Sequence, residues 1–202
     1  MIDQIGIKEH FASSFDIVAI AASAGGLNAL TTVLAGLPKG LPASIVVVQH
    51  LDPRHRSLMA EILSRRTLLF VKEAHEGEKL ERSTVYIAKP DRHLLVNSDG
   101  TLSLTSTEPL HFVRPTADFL FESVAKSYKD RAIAVILSGT GKDGAMGAQA
   151  IKKMSGTVIV QDEAEFSGMP KAAIGSSDVD FVIPVDEIAP ALIRLITKGD
   201  ST

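Results

Sequence analysis

Cysteine is absent from the 202 residues of this chain. Its absence excludes a disulfide framework, a thiolate metal site and a cysteine nucleophile, so any reaction must use oxygen or nitrogen groups. Aromatic residues make up only 5% of the sequence and the net charge is -3, so we expect no nucleic-acid partner. No apolar run is long enough to span a membrane and the N-terminus lacks the features of a secretory signal, so we expect a cytoplasmic protein without membrane insertion.

The hydrophobic content of the chain is sufficient for a full core. Apolar residues make up 45% of the 202 residues, a length typical of one large domain. Residues 1–14 have no clear hydrophobic period. We therefore predict a short lead-in over 1–14 and a single domain over 15–202.

Three runs rich in β-branched residues are typical of strands that are buried on both faces, namely 17–20, 45–48 and 132–137. Helical spacing occurs at 27–34, 57–65, 117–128, 145–154 and 186–196. Shorter strands are predicted at 70–72, 84–88, 93–96, 102–104, 157–160 and 181–183, with Asp99-Gly100 as a hairpin turn. The order of these elements predicts an α/β class: a doubly wound, mostly parallel sheet with helices on both faces and an antiparallel hairpin at one edge.

Three polar residues follow the three long apolar runs. Ser23 lies in a loop of alanine and glycine after the first run, His50 comes just after the second, and Asp143 lies in a glycine-rich loop after the third. In an open α/β sheet, ligands bind outside the carboxyl ends of the strands. We therefore expect these three side chains to lie along one edge of the sheet.

Each of the three residues also has a simpler interpretation. Ser23 and Asp143 could each be a helix N-cap, and the glycines beside Ser23 could instead bind a phosphate. His50 could be structural or merely solvated. Together, however, they supply the nucleophile, base and orienting carboxylate of a serine hydrolase, which is defined by geometry and not by order along the chain. A serine hydrolase is therefore our prediction.

Several segments also match the motifs of a known family: 22–26, 48–50, 86–88, 91–93, 114–118, 139–144 and 168–170. In their order and residue types they resemble the bacterial chemotaxis methylesterases (CheB-type catalytic domains), from near Asp16 to near Ile196. The family fold is a doubly wound, mostly parallel sheet with a hairpin at one edge. That fold agrees with the arrangement predicted from the periodicity.

The resemblance implies a reaction and a role for each residue. The family hydrolyses glutamate γ-methyl esters on the cytoplasmic helices of chemoreceptors, releases methanol, and in some members deamidates glutamines at the same sites. Ser23 would be the nucleophile, His50 the general base and then acid, and Asp143 the orienting carboxylate. Ala24, Gly25 and Thr140 would form the oxyanion and substrate loop. Neither a metal nor an organic cofactor is implied.

The sequence also departs from the usual family pattern. Thr140 stands where the family commonly has methionine, but a backbone N–H can serve the oxyanion whatever the side chain. Full-length members usually carry an N-terminal phosphoreceiver domain, which 1–14 is too short to encode. The chain would therefore be a stand-alone enzyme or a fragment, with a separate response-regulator protein as a candidate partner.

Basic residues near the predicted site are candidates for receptor docking. Arg54, His55 and Arg56 follow His50, and Lys142 precedes Asp143. Such clusters can attract acidic helices, although many are only solvated. Three other functions remain open: a non-catalytic signalling or docking module of the same fold, a nucleotide-binding flavodoxin-like domain, and an esterase or amidase for small molecules.

Overall fold

The computed structural model of the chain describes residues 16–50, 57–108, 114–176 and 178–197. The strands in these ranges are β1 (Ile17–Ala22), β2 (Ser44–Gln49), β3 (Phe70–Glu73), β4 (Thr84–Ile87), β5 (His93–Val96), β6 (Leu102–Thr105), β7 (Ala132–Ile136), β8 (Thr157–Gln161) and β9 (Phe181–Ile183). The α-helices are α1 (Gly26–Ala35), α2 (Met59–Ser64), α3 (Ala117–Tyr128), α4 (Ala145–Lys153), α5 (Gly168–Ser176) and α6 (Val185–Thr197).

Strand β1 lies in the middle of a seven-stranded sheet with the order β3-β4-β2-β1-β7-β8-β9. All neighbouring strands in this sheet are parallel. Every residue of β1, β2 and β7 is buried. Burial on both faces explains why these strands are almost continuously apolar in the sequence.

Helices cover both faces of the sheet. Helices α1, α2 and α6 pack on the face that contains Val18 and Ile20. Helices α3, α4 and α5 pack on the opposite face, which contains Ala19 and Ala21. This arrangement confirms the predicted doubly wound α/β class. Within the described residues, no helix has the length and apolar character that a membrane crossing requires.

The antiparallel hairpin is also present, but it forms a small sheet of its own instead of extending the large one. Strands β5 and β6 form a two-stranded antiparallel sheet, with Leu95 opposite Ser103. Leu94, Val96 and Leu102 are buried in the same cluster as the apolar side of α3. The hairpin therefore packs on the α3 side of the molecule, while the edge strands of the large sheet are β3 and β9, each paired in parallel with its neighbour.

Helix α5 is an element that hydrophobic spacing does not predict. It contains Gly168, Pro170 and Gly175, which all have low helix propensity. Met169 and Ala173 are buried in the core cluster of that face. Tertiary packing therefore stabilises a helix whose local sequence disfavours it.

Candidate active site

The carboxyl ends of three adjacent parallel strands meet at one edge of the sheet and carry the predicted site residues. Strand β1 pairs with β2 on one side and β7 on the other. Ala22 is opposite Gln49 in that register, so Ser23 and His50 are the next residues on neighbouring strands. The backbone N–H of His50 donates to the Ala22 carbonyl at 3.1 Å, which extends the pairing to the site.

Backbone hydrogen bonds fix the position of Ser23. Its N–H donates to the Ser138 carbonyl at 2.9 Å, and its own carbonyl accepts the Gly26 N–H at 2.9 Å, which closes a tight turn. The N-cap of α1 is Gly25, in the left-handed conformation at φ 70, with no side-chain cap. Ser23 is therefore not the N-cap of α1, which removes the simpler interpretation of this residue.

His50 and Asp143 come together although 93 residues separate them in the sequence. His50 Nε2 lies 2.8 Å from Asp143 Oδ2, and the side chains are 15% and 4% exposed, respectively. The N-cap of α4 is Gly144, so Asp143 is not that cap either. A histidine–carboxylate contact of this kind orients the imidazole in serine hydrolases.

The Asp143 carboxylate lies at the N-terminus of α3, where backbone N–H groups have no partner within the helix. Oδ1 accepts from Thr116 Oγ1 at 2.5 Å and from Asp118 N at 3.1 Å, while Oδ2 accepts from Ala117 N at 2.7 Å. Thr116 is the N-cap of α3. A negative charge is stabilised at this position by the donors and by the helix dipole.

These contacts decide the charge of Asp143. Burial alone would raise its pKa, but hydrogen bonds from His50, the Thr116 hydroxyl and the Ala117 N–H outweigh burial and lower the pKa below the ordinary value. The carboxylate is therefore ionised at neutral pH, so it accepts the Nε2–H of His50. His50 Nδ1 then remains for the serine hydroxyl, although no hydrogen bond joins Ser23 and His50 within the described residues.

The predicted oxyanion and substrate loop lies around Ser23. Ala24 and Gly25 belong to the same turn, and the Ala24 carbonyl accepts from Ser138 Oγ at 2.8 Å. A Cβ at Gly25 would lie 2.8 Å from that hydroxyl oxygen, so this position needs glycine for space as well as for its backbone angle. Thr140 is exposed in the loop after β7. Its role in binding an oxyanion stays a prediction.

The docking candidates are only partly described. Lys142 is exposed in the Asp143 loop. Arg54, His55 and Arg56 lie outside the described residues. Receptor docking by these side chains therefore stays a prediction.

Three further residues stabilise the site but have no role in the sequence-based prediction. Gln49 Nε2 donates to the Ser23 carbonyl at 2.7 Å and to the His50 carbonyl at 3.2 Å. Ser138 links the end of β7 to the serine turn, and Thr116 binds Asp143. A threonine two residues before an aspartate at the start of an apolar helical pattern marks an N-cap, and this signal could have identified Thr116.

Comparison with known proteins gives a consistent result. Residues 18–192, a range that includes Ser23, His50 and Asp143, match the model of the family described as CheB methylesterase. The crystal structure of the Thermotoga maritima CheB methylesterase catalytic domain matches with a TM-score of 0.87 and 40% sequence identity. That match covers 91% of this chain and 100% of the solved one.

Curated sequences that resemble this chain differ in length. A relative from Leptospira interrogans, provisionally named a protein-glutamate methylesterase/protein-glutamine glutaminase, is 40% identical over 184 residues, which are 90% of this chain and 95% of the relative. The protein-glutamate methylesterase/protein-glutamine glutaminase of Thermotoga maritima is 40% identical over 190 residues, which are 92% of this chain and 55% of the relative. The chain thus spans about half of the longer relative and nearly all of the shorter one.

Proposed function

Because the chain belongs to the CheB methylesterase family, we propose that it is a serine hydrolase that removes methyl groups from glutamate γ-methyl esters on chemoreceptors. The names of the relatives support a second reaction at the same site, the deamidation of glutamine. The observation that carries the proposal is the hydrogen bond between His50 Nε2 and Asp143 Oδ2, beside the strand end that carries Ser23.

The proposed reaction proceeds in two steps. His50 takes the hydroxyl proton of Ser23 as the serine oxygen attacks the ester carbonyl, and the same proton is then given to the leaving methoxide, which departs as methanol. Water then attacks the acyl-enzyme, His50 takes a proton from that water and gives it to the Ser23 oxygen as the acyl bond breaks, and the released glutamic acid loses its proton to solvent. Backbone N–H groups around Ala24 and Thr140 would stabilise the oxyanion in both steps.

The environment of Asp143 supports this assignment of roles. His50 becomes an imidazolium in each step, and an adjacent anion stabilises that form. The lowered pKa of Asp143 keeps the anion present at neutral pH. The carboxylate is also fixed by α3, so it needs no rearrangement when the charge on His50 develops.

The remaining parts of the proposal concern partners. We propose the methylated cytoplasmic helices of chemoreceptors as the substrate, with Lys142, Arg54 and Arg56 as docking candidates for their acidic surfaces. A separate response regulator as partner and a cytoplasmic location stay predictions, as does activity without a cofactor.

Methanol release from methylated receptor fragments tests the proposal. Ser23→Ala should lower kcat by about 10⁶-fold, because the members of a triad act as a unit. Ser64→Ala makes the same chemical change at an exposed position of α2 and should leave the rate unchanged. Near-full activity of Ser23→Ala would overturn the proposal.

Covalent labelling separates the proposal from its alternatives. A serine-directed phosphonate should label Ser23 in the wild type and leave Ser23→Ala unlabelled, because only an activated hydroxyl attacks the reagent. A non-catalytic module would not be labelled. A nucleotide-binding domain would instead retain a phosphate compound on purification.

A further inference from the structure

His93 is a buried histidine near the proposed triad, and within the described residues no hydrogen bond joins it to Ser23, His50 or Asp143. It is the first residue of β5, is 0% exposed, and lies edge-on to the Phe119 ring with the centroids 4.8 Å apart. Its Nδ1 accepts the backbone N–H of Thr116 at 3.2 Å. Its Nε2 lies 3.3 Å from the Glu108 carbonyl oxygen.

These two contacts fix the tautomer of His93. A ring nitrogen that accepts from an N–H carries no proton, so Nδ1 is bare and Nε2–H donates to the Glu108 carbonyl. Burial is the main cause of the lowered pKa of His93; the hydrogen bond with the Glu108 carbonyl opposes it, and the charge of Arg114 lowers the pKa further. The ring is therefore neutral at neutral pH.

Thr116 connects His93 to the proposed catalytic carboxylate. The Thr116 N–H donates to His93 Nδ1, and the Thr116 hydroxyl donates to Asp143 Oδ1 at 2.5 Å. Thr116 has extended backbone angles, φ -119 and ψ 139, and precedes the first turn of α3. Its amide would have no acceptor within the helix, so His93 supplies the acceptor that an N-cap backbone lacks.

We infer that His93 is a positioning residue for the hydrolase reaction: by accepting the Thr116 N–H, it orients the Thr116 hydroxyl toward Asp143, which in turn orients His50. This inference rests on the proposed function. Within the described residues, the donors to Asp143 are Gly144, His50 and one short segment at the start of α3, Thr116 to Asp118. A shift of the Thr116 backbone would thus misplace most of these donors together.

Three substitutions separate positioning from packing. In His93→Asn the Oδ1 atom can lie near the position of Nδ1, so the acceptor for Thr116 is kept. In His93→Gln the amide can still reach the Glu108 carbonyl, but no acceptor faces Thr116. His93→Leu fills much of the space and keeps neither contact. If the Leu variant fails to fold, the comparison of Asn with Gln still decides the question.

We expect kcat to depend on whether the side chain at position 93 keeps a hydrogen-bond acceptor for the Thr116 N–H, and not on the volume of that side chain. His93→Leu and His93→Gln should lower kcat for methanol release by about 10- to 100-fold, as loss of a supporting hydrogen bond does at other sites. KM should stay within about twofold, because His93 is buried and does not face substrate. His93→Asn should recover most of kcat. His75→Leu, at an exposed position after β3, makes the same chemical change as a control.

Proton NMR tests the same inference without any substrate. The His50 Nε2–H bonded to Asp143 should give a low-field signal in the wild type and in His93→Asn, and this signal should be lost or shifted in His93→Gln. Equal kcat and equal His50 signals in the Asn and Gln variants would overturn the inference. A wild type that releases no methanol would instead count against the proposed function, while the NMR result would still decide whether His93 positions the pair.

Discussion

Asp143 and Ser23 lie at the same edge of the sheet, but they are positioned in different ways. Asp143 is 3% exposed, and both of its carboxylate oxygens accept hydrogen bonds from α3. Ser23 is half-buried and is positioned through its backbone, between Ser138 and Gly26, with small residues around it. The surroundings of Asp143, here called the acid side, are thus held by hydrogen bonds to its side chain. The surroundings of Ser23, the proposed nucleophile side, are held by backbone bonds and leave space for a substrate to approach.

This difference indicates how each side should respond to substitution. On the nucleophile side, the proposal requires one side-chain group, the hydroxyl of Ser23, and its turn is defined by backbone bonds. On the acid side, several hydrogen-bond donors together position the charged carboxylate of Asp143. Substitutions of these donors should lower kcat by graded amounts, and the pH dependence of kcat/KM should change with them.

The largest effect on the acid side should follow from Asp143→Asn. The amide can keep the shape of the carboxylate, but it cannot stabilise an imidazolium and can present N–H to His50, which favours the wrong tautomer. We expect kcat to fall by about 10⁴-fold, as seen for this change in the Ser-His-Asp template. Asp130→Asn, at an exposed position, is the control for methanol release. A loss of less than about tenfold would mean that the acid side is not part of the reaction.

Thr116→Val should have a smaller effect with a diagnostic pH dependence. The hydroxyl of Thr116 lowers the pKa of Asp143, so its removal raises that pKa. The carboxylate is then neutralised at a higher pH, and the acidic limb of the kcat/KM profile should move upward. At neutral pH the loss should be about tenfold, the equivalent of one hydrogen bond to a charged group.

Thr116→Ser is the matched control for that measurement. It retains the hydroxyl that donates to Asp143, so both the rate and the acidic limb should stay close to wild type. If the Val and Ser variants have the same pH profile, the acid side does not depend on this donor and the proposed contrast between the two sides is wrong.

The smallest effect should come from Gln49→Met on the nucleophile side. Gln49 is 6% exposed and supplies donors to the carbonyls of Ser23 and His50. Methionine fills a similar volume without donors, so the free energy of unfolding should fall by about 1–3 kcal/mol for the two hydrogen bonds lost. Urea denaturation measures this change, and kcat should fall only a few-fold because the turn keeps its backbone bonds.

A second glutamine offers the control for Gln49. Gln149 is exposed on α4 and donates one hydrogen bond, to the Ser176 carbonyl. Gln149→Met should cost less than about 0.5 kcal/mol, the usual range for surface positions. A loss of activity as large for Gln49→Met as for Asp143→Asn would show that the nucleophile side also depends on side-chain positioning.

The sequence predicts the central part of this molecule better than its periphery. Strands β1, β2 and β7 are buried on both faces, so their apolar runs are visible without any knowledge of the fold. Helix α5 was missed because glycine and proline disfavour it locally and only packing stabilises it. The position of β3 at an edge of the large sheet and the separate sheet of β5 and β6 are both matters of strand pairing, which local patterns do not encode.

The same limit applies to the site. Ser23, His50 and Asp143 follow predictable strands, so their common edge could be inferred from topology. Their catalytic roles stay predictions until activity is measured. The contribution of Thr116 depends on a contact with Asp143 across 27 residues of sequence, and that of His93 on a hairpin that packs against α3. Such contacts arise from tertiary structure and leave no periodic signal.

The attachment of the proposed site to β1, β2 and β7 has a consequence for how the protein loses activity on heating. These three strands are the interior of the sheet, flanked on both sides by other strands. Interior strands open only when the whole domain unfolds, whereas edges and loops can open separately. The strand ends that support the proposed site should therefore be lost only on global melting, and activity lost at a lower temperature would report opening of the loops that carry Ser23 and Asp143.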